Sequence, residues 1–238
     1  MQTAIITGAS RGLGLALARA LAQRGWRLVI DARGARALER AVDELAMHAE
    51  QADHRPAVQT IAGDVTDAWH REALVTAAGG RIDLLVNNAS MLGPSPQPEL
   101  ARYPRDELER VYAVNLHAPF ALTQLALPLI PAGGRVINVT SDAALEAYAG
   151  WGGYGSSKAA LDQLTAILAL EHPELHVYSV DPGDMRTQMH QEAFPGEDIS
   201  DRPPPEQSVP GLLELIEGEL PSGRYRAAEL IEVSVSPR

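Results

Sequence analysis

The chain has 238 residues, of which 45% are hydrophobic and 21% charged, with a formal net charge of −11 and no cysteine. Such a composition can bury a substantial core. The acidic balance argues against nucleic acid or an anionic membrane as the main partner, since both need a basic face, and the lack of cysteine excludes disulfides, thiolate zinc sites and cysteine nucleophiles.

The first apolar run, TAIIT (3–7), is β-branched and bounded by Gly8, which predicts a strand. GLGLALARALAQRG (12–25) places Leu13, Leu17, Ala20 and Leu21 at helical spacing, with Gly25 as a stop. RLVID (27–31) is the next strand, and a helix over 35–51 carries Leu38, Val42 and Leu45 on one face. A strand lies within 57–65, and Asp67 caps a helix to about residue 78. IDLLVNN (82–88) is an apolar strand running into a polar turn. A helix starts near Glu99 or Asp106, breaks around Pro119 and resumes to about 130. RVINVTS (135–141) is a strand, followed by a helix over 152–172 that stops before Pro173. LHVYSVDPG (175–183) is a strand and turn; a loop-rich stretch, a short helix at 206–219 and a last strand near 223–227 complete the chain.

Strands alternate with helices, and no linker divides them. This predicts one α/β domain built on a parallel sheet with helices on both faces. The uncharged stretch 111–134 contains Asn115, His117, Gln124 and three prolines, so it reads as a buried or interface helix rather than a membrane span. The N-terminus shows no basic region of the kind that opens a signal peptide, and a cytoplasmic location is expected. Ligands of open parallel sheets lie beyond the carboxyl ends of the strands. The loops 8–14, 31–34, 63–65, 87–90, 140–144 and 181–187 are therefore where function is expected.

TGASRGLG (7–14) follows a strand and opens a helix, an arrangement that offers glycine turns, free N–H groups and positive helix dipole to a phosphate. At the tip of the second strand, an acid would hold a ribose 2′-hydroxyl and an arginine would suit a 2′-phosphate. Alternation puts Arg33 at that tip, with Asp31 deeper and Ala32 between them; Arg11 adds a second cation on the same side. In YGSSK (154–158), Tyr154 and Lys158 share one helix face. Ser156 and Ser157 have no histidine nearby in sequence, which disfavours a serine hydrolase. His48, His54, His172 and His176 have no partner at metal-ligand spacing, so no metal is expected.

These motifs, together with DV (64–65), NNA (87–89), VN (114–115), VTS (139–141) and PGDMRT (182–187), occur in an order and near a spacing that resemble the short-chain dehydrogenase/reductase family, in its single-domain branch of about 250 residues. The resemblance covers nearly the whole chain and implies a Rossmann-like, doubly wound parallel sheet of about seven strands. It implies that Tyr154 is the general acid or base and that Lys158 lowers its pKa and holds the nicotinamide ribose. Ser141 would orient the substrate oxygen, and Asn115 would hold a water behind the lysine. Cofactor contacts would come from Gly8, Ser10, Arg11, Gly12, Leu13, Gly14, Arg33, Asp64, Val65, Asn88, Ala89, Pro182, Gly183 and Thr187. The two arginines point to NADP(H) over NAD(H). The resemblance also implies a small carbonyl or alcohol substrate and a homodimer or homotetramer through helices 99–130 and 152–172.

One position departs from the family pattern: Ser90 stands where glycine is usual, adding a Cβ beside the cofactor path. Residues 184–205 follow the nicotinamide turn, with Met185, Met189 and Phe194 available to cover a ligand, and read as a lid. A ketoacyl-carrier-protein reductase is an alternative that would need a basic docking patch on this acidic chain. A non-catalytic dinucleotide sensor would keep the glycine turn but has no need of the Tyr154–Lys158 pair, which is intact here.

Overall fold

The computed structural model describes residues 1–49 and 57–235. Gln51, at the end of the helix expected over 35–51, and His54 lie outside them. Seven strands form one sheet: β1 (Thr3–Ile6), β2 (Arg27–Ala32), β3 (Val58–Ala62), β4 (Leu84–Asn87), β5 (Arg135–Val139), β6 (His176–Asp181) and β7 (Gly223–Arg226). Their order is β3-β2-β1-β4-β5-β6-β7, and every pairing is parallel. The chain starts in mid-sheet, winds outward through β2 and β3, then crosses back to β4. The switch point where the winding reverses therefore lies between β1 and β4, where a crevice opens in folds of this kind.

Strand alternation divides the core between the two faces. Ala4, Ile6, Leu28, Ile30, Leu84 and Val86 pack beneath α1 (Gly12–Gln23), α2 (Ala35–Ala49), α8 (Val209–Glu217) and α9 (Ala227–Val235). Ile5, Val29, Leu85, Val136 and Val177 pack on the opposite face, against α3 (Ala68–Ala77) and α5 (Ala118–Ala126). With both faces covered, the inner strands β1, β4 and β5 are buried along almost their whole length, whereas the edge strands β3 and β7 are partly exposed. A fully buried leucine such as Leu84 or Leu28 contributes about 2 kcal/mol by removal from water. Asp67 accepts a hydrogen bond from the Trp69 amide at 2.9 Å and so starts α3.

The break expected near Pro119 is absent. Residues 99–102 form only a short turn, and α4 (Arg105–Tyr112) then runs through a single π-turn, Ala113–His117, straight into α5. Backbone angles stay helical at both junctions, with φ −65° at Tyr112 and −66° at Ala118. Pro119 falls in the first turn of α5, and the wider turn before it removes the demand for the N–H that proline lacks. The helix α6 (Gly152–Glu171) ends before Pro173 as its sequence implies, whereas α9 has no counterpart among the expected elements. No helix among the described residues is long and apolar enough to cross a membrane.

Candidate active site

The six strand-end loops meet around one cleft of about 1100 Å³. It is lined by every site residue named from the sequence except Gly14 and Asn115, which stand just behind its wall. At one end lies the glycine turn. Gly8 and Gly12 have φ of +68° and +58°, where side chains are strained, and a Cβ at Gly8 would come within 2.9 Å of the Ala89 backbone. A Cβ at Gly14 would strike the Asn88 side chain at 2.6 Å. That Asn88 amide donates to the Thr7 carbonyl at 2.8 Å, while Thr7 Oγ1 accepts from the backbone N–H groups of Asn88 and Ala89. The ends of β1 and β4 are thus fastened together beneath a phosphate-sized cradle.

Asp31, next to last in β2, is buried. One carboxylate oxygen accepts from the Gly8 N–H at 2.6 Å and the other faces His70 Nε2 at 2.8 Å. A carboxylate accepts up to about four hydrogen bonds, so these two orient Asp31 toward Gly8 and His70 without by themselves excluding a ribose. Arg33 beyond it is exposed, and Arg40 from α2 joins it on the cleft wall. Arg11 does not stand free beside Arg33; its guanidinium donates to Gln188 of α7 (Gln188–Ala193) across the cleft. Asp64 accepts from the amide and hydroxyl of Thr66, and these bonds, with the charges of Arg33 and His70, outweigh its burial and keep its pKa below the usual value. Thr140 Oγ1 is buried on the cleft wall with no hydrogen-bond partner. A glycine cradle, exposed arginines at the far wall and an unpartnered hydroxyl fit a long polar ligand such as a dinucleotide.

Tyr154 and Lys158 occupy the first two turns of α6, and both are buried. The Lys158 ammonium donates to the Val139 carbonyl at 2.8 Å and lies 5.5 Å from the Tyr154 ring centre. Burial lowers the Lys158 pKa to about 8, partly countered by Asp162. The Tyr154 phenol is pushed up to about 12, chiefly by burial; the charges of Asp181 and Asp142 push the same way, and hydrogen bonds with Ser90 and Ser141 oppose them. Here the Lys158 ammonium is turned toward the Val139 carbonyl. Ser141 donates to Asp142 Oδ1 at 2.8 Å. Asp142 also accepts from Tyr148 and the Ala143 N–H; with Arg226 these outweigh its burial and hold it ionised.

Asn115 is completely buried at the centre of the π-turn. Its carbonyl oxygen accepts from the Met91 N–H at 2.8 Å and from Ser90 Oγ, while its amide donates to the Met91 carbonyl and Ser157 Oγ. The side chain is spent on the loop after β4, so a water behind Lys158 would have to use some other group. Ser90 replaces a bare backbone with a hydroxyl between Asn115 and the phenol. Thr187 Oγ1 accepts from the His190 N–H and starts α7.

Several residues at this site were not found from the sequence. Arg224 of β7 donates to the Ser141 carbonyl at 2.9 Å and to Asp162 at 3.0 Å, tying the serine loop to the helix that bears Tyr154 and Lys158. Its only sequence signal was its place in the last strand. Trp151 packs edge-on against Tyr154, with ring centres 5.8 Å apart, and against Phe194 at 5.9 Å. Met189 and Ala193 of α7 complete this apolar wall. The arm 184–205 thus lies across the cleft, held by Arg11 on one rim and by Ser95 Oγ, which donates to the Glu192 carbonyl at 2.6 Å, on the other. Ser156 and Ser157 donate to carbonyls of their own helix, with no histidine beside them. His172 pairs with Glu174, and His176 stacks on Tyr178. The side chain of His48 lies outside the described residues, among which no group of three potential metal ligands occurs.

The sequence model of one protein family, described as short chain dehydrogenase, matches residues 2–198. Among curated proteins, L-xylo-3-hexulose reductase of Hypocrea jecorina is 36% identical over 215 residues, which cover 81% of this chain and 69% of that protein. Sepiapterin reductase of Meriones unguiculatus is 37% identical over 200 residues, covering 79% and 75%. Among solved structures, a short-chain dehydrogenase from Shigella flexneri 2a complexed with NADP superposes with a TM-score of 0.85 at 26% identity, covering 95% of this chain and 97% of that one.

Proposed function

The chain belongs to the short-chain dehydrogenase family of oxidoreductases, and from that premise we propose that it transfers hydride between NADP(H) and a carbonyl or secondary-alcohol substrate, with Tyr154 as the proton donor or acceptor. The observation that carries the reading is the meeting of Tyr154, Lys158 and Ser141 on one wall of the cleft. The nicotinamide, when bound, supplies a hydride to the carbonyl carbon, or takes one from the alcohol. In the reductive direction the Tyr154 phenol gives its proton to the carbonyl oxygen as that hydride arrives, and Ser141 turns its hydroxyl from Asp142 to hold the same oxygen. The phenol is protonated at neutral pH, as an acid must be, and bringing its pKa down toward the working pH falls to Lys158. Lys158 is one turn away and free to exchange Val139 for a ribose hydroxyl or the phenolate. The arm carrying Met189 and Phe194 excludes water from the reacting centre.

The preference for NADP(H) rests on Arg33 and Arg40 at the adenosine end and on the burial of Asp31, which is turned to Gly8 and His70. The NADP complex of the Shigella flexneri relative supports it. A self-association surface is proposed on α5 and α6, where Phe120, Leu125, Ile167 and Leu170 are exposed. Light scattering at micromolar concentration is expected to give a dimer or tetramer; a monomer would remove that part of the reading. The activity is tested by following NADPH and NADH oxidation against a panel of ketones, aldehydes and quinones. Turnover of at least one carbonyl class, faster with NADPH, is expected. No turnover with either cofactor, or faster turnover with NADH, overturns the reading.

A further inference from the structure

The substrate end of the cleft carries two features that the transfer of hydride does not itself require. One is the apolar wall of Trp151, Tyr154, Phe194, Met189 and Leu92. The other is a carboxylate directly behind the serine that would hold the reacting oxygen: Asp142 Oδ1 lies 2.8 Å from Ser141 Oγ, and Asp142 lines the cleft. We propose that Asp142 is a specificity-determining residue, restricting the site to carbonyl compounds that carry an aromatic or bulky apolar group and no negative charge beside the reacting carbon. This rests on the hydride-transfer reading above.

A carbonyl oxygen within hydrogen-bond reach of Ser141 Oγ lies at most about 5.6 Å from Asp142 Oδ1, which is itself 2.8 Å from that hydroxyl. An acid group on the neighbouring carbon falls at a similar distance. Two like charges so placed at a partly shielded site repel enough to weaken binding on the order of tenfold to a hundredfold. The cations nearby relieve this only in part: Arg226 acts on Asp142 but also lies 3.5 Å from Asp181, Lys158 is turned to the Val139 carbonyl, and Arg224 is occupied by Asp162 and the Ser141 carbonyl. The charge of Asp142 is felt at the reacting centre, since it adds to the upward pressure on the Tyr154 phenol. Trp151, backed by Phe194, offers its ring to a flat group in the cleft, which gains from offset or edge-on packing.

The test uses methyl benzoylformate and the benzoylformate anion, with NADPH as cofactor. The ester is also larger by a methyl group and more electrophilic at the ketone, so the change of their ratio in Asp142→Asn isolates the charge. The expected kcat/KM of the ester exceeds that of the acid by about tenfold or more, and Asp142→Asn narrows the ratio by a similar factor. The wild-type comparison needs no variant to fold. Equal turnover of ester and acid by the wild type overturns the proposal while leaving the hydride-transfer reading intact, and so does a folded Asp142→Asn whose ratio is unchanged. Failure to reduce either compound, or any other carbonyl, overturns the underlying reading and the proposal with it.

Discussion

Replacing Lys158 by methionine is expected to stabilise the protein and to disable it. The ammonium is buried and donates to one carbonyl, and its pKa falls from 10.5 to about 8. That depression corresponds to about 3 kcal/mol of folding free energy lost at neutral pH. Methionine is nearly the same size and carries no charge, but it leaves the Val139 carbonyl without its donor, a loss of about 1 kcal/mol. The net gain at pH 7 is then about 2 kcal/mol. The sign of the pH dependence follows from where the proton sits. Between pH 8 and 10.5 the unfolded chain still holds the lysine proton while the folded chain has released it, so wild-type stability rises with pH relative to the variant. The penalty is present in full below pH 8 and gone above 10.5. The advantage of Lys158→Met should shrink by about 2 kcal/mol between pH 7 and 9.5. Urea denaturation of both proteins at the two pH values measures it, and the variant's turnover should fall by roughly 10² or more. A variant less stable than wild type at pH 7, or a stability gap unchanged by pH, would refute the reasoning.

Arg33→Ala should remove a charge-assisted bond to a 2′-phosphate, weakening NADPH binding about tenfold to a hundredfold while leaving NADH nearly untouched; titration of both cofactors checks this, and an equal loss for both would contradict it. The arm 184–205, held at its rims by Arg11 and Ser95, should exchange amide hydrogens faster than the rest of the described chain in the absence of ligands and slow when NADPH and substrate are added. High protection that ligands do not change would mean that it is no lid.

What could be read from the sequence was mostly what short-range order controls. Apolar runs and glycine stops are local, so six alternating strand and helix units and the six strand-end loops could be marked from the chain alone. Tyr154 and Lys158 were visible because a helix turns four residues into one face. The rest depends on partners far along the chain. Arg224 acts on Ser141 from 83 residues away, and Arg11 reaches Gln188 over 177. Arg40 joins Arg33 only because α2 folds back along the cleft. The helix break placed at Pro119 failed for a different reason. Proline forbids a hydrogen bond, but a π-turn upstream can absorb the loss, and the sequence does not say which solution the chain takes. The direction of the Lys158 ammonium also depends on a distant partner: spacing along the helix brings lysine and phenol to one face, and the Val139 carbonyl takes the ammonium.

The most direct measurement is single-turnover hydride transfer by Tyr154→Phe, with NADPH affinity determined on the same sample. Tyr154 is 8% exposed and packed between Trp151 and Leu92 through its ring, so phenylalanine keeps the packing and removes only the hydroxyl. NADPH affinity within about twofold of wild type, together with a transfer rate lower by roughly 10² or more, is the result predicted for a general acid. A variant that transfers hydride at the wild-type rate would show that the proton comes from elsewhere and would contradict the assignment.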